Sequence, residues 1–306
     1  MTSAVVFAYH DVGVRCLSVL LDQGVDVPLV VTHRDNPNEN IWFGSVADLA
    51  AQHRIPFITP EDPNAPEVVE RIAALRPDFF FSFYYRLMLK APLLTIPARG
   101  ALNMHGSLLP KYRGRVPVNW AIIHGETETG ATLHYMTEKP DNGDIVAQTA
   151  VPILPDDTAG EVFAKVTLAA ERTLRDALPL LIAGTAPRRI QDLSQGGYFG
   201  GRKPEDGRID WTQSARQIHN LVRALAPPYP GAFTEVDGHR LVIERTRVAD
   251  ENGNHDAPRL RVSDDRLYAD SVSGTLEIVS CTLDGEPLDP AAFAARFGAS
   301  VSLMRK

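Results

Sequence analysis

PEVVERIAALRPDFFFSFY, residues 66–84, decides the fold class. Residues 66–75 mix apolar and charged side chains at helical spacing, opened by Pro66, and predict an amphipathic helix. Residues 78–84 then read as an aromatic, strand-like run. The same alternation continues on both sides. Upstream, 4–8 is a buried strand, 14–23 a helix closed by Gly24, 27–32 a strand, 45–53 a short helix and 55–58 an extended piece. Downstream, 101–104 is one more strand, followed by a polar loop. A chain that alternates strands with helices in this way is expected to be α/β: a mostly parallel sheet with helices on both faces.

Beyond Gly100 the pattern changes. Residues 118–124 start a helix, and 130–136 with 144–151 read as an antiparallel pair finishing the sheet. Residues 160–182 form a long amphipathic helix closed by Gly184. The Gly-, Arg- and Gln-rich stretch 188–204 shows no period and is read as a linker. After it come a helix at 214–224, a Pro-rich turn at 227–231, and short strands at 232–236, 240–248 and 275–281. Regular short strands with turn signals indicate a small β-barrel or sandwich. The expected division is therefore a first domain over 1–187, a linker over 188–204 and a second domain over 205–306.

Bulk properties narrow the function classes. The chain has 306 residues, enough for two cores, with 44% hydrophobic and 23% charged residues. A net charge of -7 and a pI near 5.7 give no general drive toward nucleic-acid phosphates or anionic membranes. The two cysteines, Cys16 and Cys281, form no C-x-x-C pair, which argues against a disulfide framework or structural zinc and for a reducing, cytoplasmic setting. The N-terminal residues read as a strand rather than a signal peptide. Nowhere do about 18 apolar residues run together, so no membrane insertion is expected.

The chemistry concentrates in N-M-H-G-S-L-L-P-K-Y-R-G-R-V-P-V-N, residues 103–119, and in P-D-N-G-D-I, residues 140–145. Asn103 and His105, two apart on a strand, point to one side at its carboxyl end, where open α/β sheets place ligands. Gly106-Ser107 lets the backbone turn sharply there. An amide N–H from Asn103 can meet a developing oxyanion, or merely cap the turn. Asp141 is either a plain Asx-turn residue or, folded back on His105, a carboxylate that favours the protonated imidazole and keeps a proton available near neutral pH. Arg86, Arg113 and Arg115 are either solvated loop charges or clamps for phosphate or carboxylate. Tyr84, Tyr85 and Tyr112 are core-edge aromatics or a platform for a planar ring. The loop Y-H-D-V-G-V-R after the first strand is no G-x-G-x-x-G, and the chain has no P-loop, G-x-S-x-G or H-E-x-x-H. His105, His124 and His134 match no common metal spacing, and no metal is expected.

These two motifs resemble the folate-dependent formyltransferases. The resemblance implies a Rossmann-like catalytic domain followed by an OB-like barrel. It also implies His105 as the proton-transferring group, Asn103 as the oxyanion donor and Asp141 as support for protonated His105. The formyl donor would be 10-formyltetrahydrofolate, contacted by Leu87, Met88, Leu89, Arg115 and the loop Thr137, Glu138, Lys139, Pro140 and Asp141. Further likeness spans nearly the whole chain: V-V-F-A-Y-H-D at 5–11, T-H-R-D-N-P at 32–37, F-G-S-V-A-D-L-A-A at 43–51, F-S-F-Y-Y-R at 81–86, G-E-T-E-T-G at 125–130 and P-G-A-F at 230–233. It is similar to the branch that formylates the 4-amino group of UDP-4-amino-4-deoxy-L-arabinose in lipid A modification and polymyxin resistance. Such an acceptor makes the partner a small nucleotide sugar. The chain ends at Lys306 with no room for the NAD-dependent decarboxylating half of that relative, and the expectation is a stand-alone enzyme or a piece of a longer one. A methionyl-tRNA formyltransferase would instead need a basic second domain, and residues 205–306 carry 16 Asp+Glu against 12 Lys+Arg. Another amino sugar, or a silent folate- or nucleotide-binding module, are the remaining rivals; a mere binder has no need of Asn103, His105 and Asp141 together.

Overall fold

The computed structural model of the protein describes residues 1–303. The chain forms two compact units that are discontinuous in sequence. One comprises Met1–Pro117, Glu128–Pro152 and Ala164–Gly200; the other Val118–Thr127, Ile153–Phe163 and the chain from Gly201 onward.

In the first unit, β1 (Ser3–Ala8) leads into α1 (His10–Asp22), β2 (Asp26–Val31), α2 (Val46–Gln52), β3 (Phe57–Ile58), α3 (Pro66–Ala74), β4 (Phe79–Phe83), α4 (Ala91–Leu94) and β5 (Ala101–His105). The two-residue β6 (Arg113–Gly114), β7 (Glu128–Tyr135), β8 (Ile145–Pro152), α6 (Ala159–Ala183) from Ala164 onward and β9 (Tyr198–Phe199) follow; α5 (Pro117–Ile123), from Val118 onward, and the start of α6 fall in the second unit. The main sheet has the order β3-β2-β1-β4-β5-β7-β8. Its strands are parallel from β3 through β5, and β7 and β8 join antiparallel, as the sequence predicts.

Every residue of β4 is buried, because both faces of a parallel sheet are covered. Phe79, Phe81 and Phe83 line up on one face with ring centroids 5.7 Å apart. Phe80 faces the other way and meets Phe7 edge-on at 5.2 Å, in a cluster with Val5, Leu29, Val31, Ile72 and Leu93. The α3 residue Ile72 thus closes the face that the opening stretch predicts.

The segment after α6 differs from the expected linker. Ile145 and Arg189 exchange two backbone hydrogen bonds at 2.8 and 2.9 Å, and β9 pairs in parallel with β6. Strands of two residues have no period to read, so the Gly-rich composition conceals this pairing.

The second unit holds α7 (Ala215–Leu225), which starts in a capping box between Ser214 and Gln217. The strands β10 (Ala232–Val236), β11 (His239–Asn254), β12 (Arg259–Ser263), β13 (Arg266–Asp270), β14 (Ser273–Leu283), β15 (Glu286–Pro287) and β16 (Ser300–Ser302) follow. They pair antiparallel in the order β10-β11-β14-β13-β12-β16, with β15 added to β14. Register shifts along β11 and β14 bend the sheet. Ile218, Val222 and Leu225 of α7 pack with Leu241, Ile243, Leu260 and Leu276 in its core. This is the small antiparallel domain that the OB-like expectation requires. The helix α8 (Pro290–Phe297), capped by Asp289, has eight residues, too short a period to be read from the sequence, yet its Phe293 is fully buried. Among the described residues no helix is long and apolar enough to cross a membrane.

Replacing Phe80 by Ala should cost about 3–5 kcal/mol, because its ring is completely enclosed between the sheet and Ile72. Urea unfolding followed by circular dichroism measures the loss; a midpoint unchanged from wild type refutes this account of the core.

Candidate active site

The carboxyl ends of β4 and β5 and the start of β8 converge on Asn103, His105 and Asp141. In the β5–β7 ladder Asn103 lies opposite His134, and His105 opposite Thr132. Cross-strand partners share a face, so an amide, two imidazoles and a hydroxyl emerge together. Thr132 ties down the loop after β5: its hydroxyl donates to the Ser107 carbonyl at 2.6 Å and accepts the Leu109 N–H at 3.1 Å. The Gln148 side chain donates to Thr132 Oγ1 and the Leu109 carbonyl, both at 2.9 Å.

Asp141 does fold back on His105, with a φ of 58°, in the left-handed region. Gly143 allows the turn: a Cβ there would lie 1.9 Å from the Tyr135 carbonyl oxygen. The Asp141 Oδ1 lies 3.5 Å from His105 Nδ1 and 3.4 Å from His134 Nε2, while Oδ2 accepts the Gly114 N–H at 2.8 Å. Burial pushes this carboxyl's pKa up, but the charge of His105, the hydrogen bond and charge of His134 and the Gly114 amide together outweigh it. They hold the group well below the usual carboxylate range.

The two rings are oriented by carbonyls. His105 Nε2 donates to the Tyr112 carbonyl at 2.8 Å, and His134 Nδ1 donates to the Tyr135 carbonyl at 2.8 Å. Because a carbonyl only accepts, each of those nitrogens carries hydrogen. His134 Nε2 stands 3.2 Å from Asn103 Nδ2 as well as 3.4 Å from Asp141 Oδ1, so one ring edge links the Asn103 amide to the carboxylate. His105 Nδ1 is left facing Asp141. The cluster thus provides a carboxylate, an imidazole that can take and return a proton beside it, and an oriented amide donor.

The expected folate residues are distributed less evenly. Leu87 and Met88, past the end of β4, are exposed, at 38% and 52%, whereas Leu89 is buried among the core residues under β4. Arg115 is exposed and its backbone N–H donates to the Phe199 carbonyl. Thr137, Glu138 and Lys139 are exposed, Pro140 is half-buried, and the Thr137 hydroxyl donates to the Lys139 carbonyl. Arg113, open to two readings from sequence, is turned inward: it donates to Asn142 Oδ1 at 3.0 Å and to the carbonyls of Leu193 and Gly196. The Tyr84 hydroxyl lies so close to Gly106 that a Cβ there would be 2.1 Å from it.

Two features escape sequence reading. His134 becomes visible only once the β5–β7 register is known. The second lies at the topological switch point, where β1 and β4 adjoin and their connections diverge. There His10 stacks on Phe43 at 3.8 Å, His33 on Tyr85 at 4.2 Å, and Arg86 lies over Tyr9 while pairing with both Glu39 oxygens. Burial lowers the pKa of His10 and of His33 to about 4, and burial together with the bond to Asp35 raises that of Tyr9 to about 12. A cavity of about 410 Å³ opens beside them, lined by Tyr9, Thr32, His33, Arg34, Asp35 and Phe57. Among the described residues no group of three or more His, Cys, Asp or Glu is placed to hold a metal ion.

Residues 14–178 match the formyl transferase family, and residues 202–298 match the formyl transferase C-terminal domain. The chain belongs to the formyl transferase family. Its fold is similar to that of an N-formyltransferase from Helicobacter canadensis, crystallised with folinic acid and dTDP-3-aminofucose. The identity is 20% over 94% of this chain and all of that one, with a TM-score of 0.69. WlaRD, a sugar 3N-formyl transferase crystallised with dTDP and 5-N-formyl-THF, is 19% identical over 94% of this chain and 98% of its own, with a TM-score of 0.70. HypX from Aquifex aeolicus in complex with tetrahydrofolic acid is 19% identical over 96% of this chain but 47% of its own, with a TM-score of 0.61.

The depressed pKa of Asp141 makes it a source of stability above the ordinary carboxylate range. In thermal unfolding, wild type should therefore exceed Asp141→Asn by its full margin at about pH 5, where the carboxylate is ionised. That margin should shrink as the pH falls below it. A margin independent of pH down to acid contradicts the network.

Proposed function

We propose that the chain transfers a formyl group from 10-formyltetrahydrofolate to an amino group of a nucleotide-linked sugar, with the 4-amino group of UDP-4-amino-4-deoxy-L-arabinose as acceptor. The observation that carries the reading is the meeting of Asn103, a buried His105 and a half-buried Asp141 in one cluster of a formyl transferase chain. The two sugar N-formyltransferases of like fold, crystallised with a formylated folate, support donor and acceptor class. The 4-amino arabinose rests on the motifs shared with the formyltransferase part of the bifunctional polymyxin-resistance protein ArnA. The acidic balance of residues 205–306 disfavours tRNA. We assign catalysis to residues 1–187 and place the enzyme in the cytoplasm, where its two buried free thiols stay reduced.

In this reading 10-formyltetrahydrofolate supplies a formyl carbon bonded to a nitrogen leaving group. The exposed Leu87 and Met88, with Arg115 and the loop at 137–141, would hold it; Leu89 is buried and could contribute only through its backbone. The neutral amine adds to the formyl carbon, and negative charge collects on the formyl oxygen. Asn103, its amide set by His134, donates an N–H to that oxygen. The C–N bond to the folate then breaks, and the proton lost from the amine reaches the departing nitrogen through His105, directly or through a water held by His105 and Asp141.

Replacing His105 by Ala should lower kcat/KM by about 10²–10⁴ while the circular dichroism spectrum stays as in wild type. Mass spectrometry with 10-formyltetrahydrofolate and a panel of amino-sugar nucleotides and charged initiator tRNA reads the acceptor. One added formyl on UDP-4-amino-4-deoxy-L-arabinose is expected. Transfer only to tRNA, or only to another amino sugar, overturns the acceptor assignment, and wild-type turnover by the variant overturns the mechanism.

A further inference from the structure

The turn that carries Asp141 is held by contacts from outside it. Asp141 sits at a φ of 58°, a left-handed conformation that Asp adopts more readily than most side-chain-bearing residues but that still leaves its carbonyl to be fixed by a partner. The restraint comes from the segment after α6. Gln191 is 8% exposed, and its side-chain nitrogen donates to the carbonyls of Asp141, at 3.0 Å, and Gly143, at 2.6 Å. The orientation of its amide is forced, since the opposite one would set an oxygen against two carbonyl oxygens. Its own oxygen is buried and has no hydrogen-bond partner among the described residues. What this side chain gives the turn is therefore its two donor bonds.

Further contacts extend from Gln191 along the same segment. The Ile145–Arg189 pair of backbone bonds brings Gln191 to the turn from one side. On the other side, Arg113 bonds Asn142 of the turn together with the carbonyls of Leu193 and Gly196. The Arg113 and Arg115 N–H groups donate to the carbonyls of Gly197 and Phe199, and between them Gly114 donates to Asp141 Oδ2. Gly196 packs so tightly on the Pro110 carbonyl that a Cβ would come within 2.0 Å of it. The neighbouring Tyr112 supplies the carbonyl that orients His105. Residues 189–199 therefore touch both loops that set the distance between His105 and Asp141.

We propose that Gln191 is a positioning residue for Asp141, and that residues 189–199 act as a brace that keeps this carboxylate against His105 and His134. The proposal rests on the reading of Asp141 as the partner of the proton-transferring His105, and it extends the reaction apparatus past residue 187. Without the two donor bonds the turn relaxes from its left-handed conformation, and Oδ1 withdraws from the rings.

The test compares wild type with Gln191→Leu, which keeps the bulk and removes the donors, and with Gln191→Asn, whose shorter amide cannot reach both carbonyls. Formyl-transfer kinetics and the ring ¹⁵N resonances of His105 and His134 are recorded on the full chain, with resonances assigned by single His substitutions. For Gln191→Leu, kcat falls about tenfold to a hundredfold, KM for the amino-sugar acceptor changes little, and both ring resonances move. Gln191→Asn gives a smaller loss in the same direction, and it carries the test if the Leu variant fails to fold. Wild-type kcat with unmoved ring resonances overturns the proposal, and so does a change confined to KM. If wild type transfers no formyl group, the functional reading fails, while the ring resonances still decide the brace.

Discussion

One carboxylate organises the site. Asp141 spreads its two oxygens over three partners, facing two imidazoles with one and a backbone N–H with the other. Burial penalises that charge, so it persists only because the surrounding donors replace the water it loses. Each partner is in turn fixed by a carbonyl or a strand: His105 by Tyr112, His134 by Tyr135 and the β5–β7 ladder, Gly114 by the short pairing of β6 with β9. The arrangement is a set of mutual constraints in which each group is oriented by a bond it makes on its far side.

The sheet supplies the frame for those constraints. Its parallel half ends β4 and β5 side by side, which places Asn103 and His105 at the carboxyl edge. Its antiparallel half does what a parallel strand could not. Because β7 runs back along β5, His134 stands opposite Asn103, and the hairpin from β7 to β8 returns Asp141 to the same edge. A change of strand direction thus brings two remote segments onto one pair of side chains.

The parallel half, the hairpin and the meeting of Asn103, His105 and Asp141 were legible in the sequence for identifiable reasons. Buried parallel strands are continuous apolar runs, such as 79–83, and the helices between them carry a clear period. Asn103 and His105 sit two apart at a strand end, which is a local pattern. His134 was invisible because its role depends on register across strands, and a sequence does not display register directly. Gln191 was hidden by the composition around it: Gly, Arg and Gln without period look like a flexible connector, although the pairing of two residues with two is enough to dock it. Leu89 differs in another way. The folate contact expected of it came from resemblance, while its side chain belongs to the core.

The pairing of β6 with β9 joins residues 113–114 to 198–199, and this has a consequence for biosynthesis. On a ribosome the chain emerges N-terminus first, so β5, the hairpin and all of α6 leave the exit tunnel before the strand that completes the carboxylate's surroundings. Until then the Asp141 turn lacks its contacts from residues 189–199, and the nascent sheet displays its apolar strands beside an incomplete polar cluster. The surroundings of the carboxylate are closed by the last short strand of the first unit, at Tyr198 and Phe199.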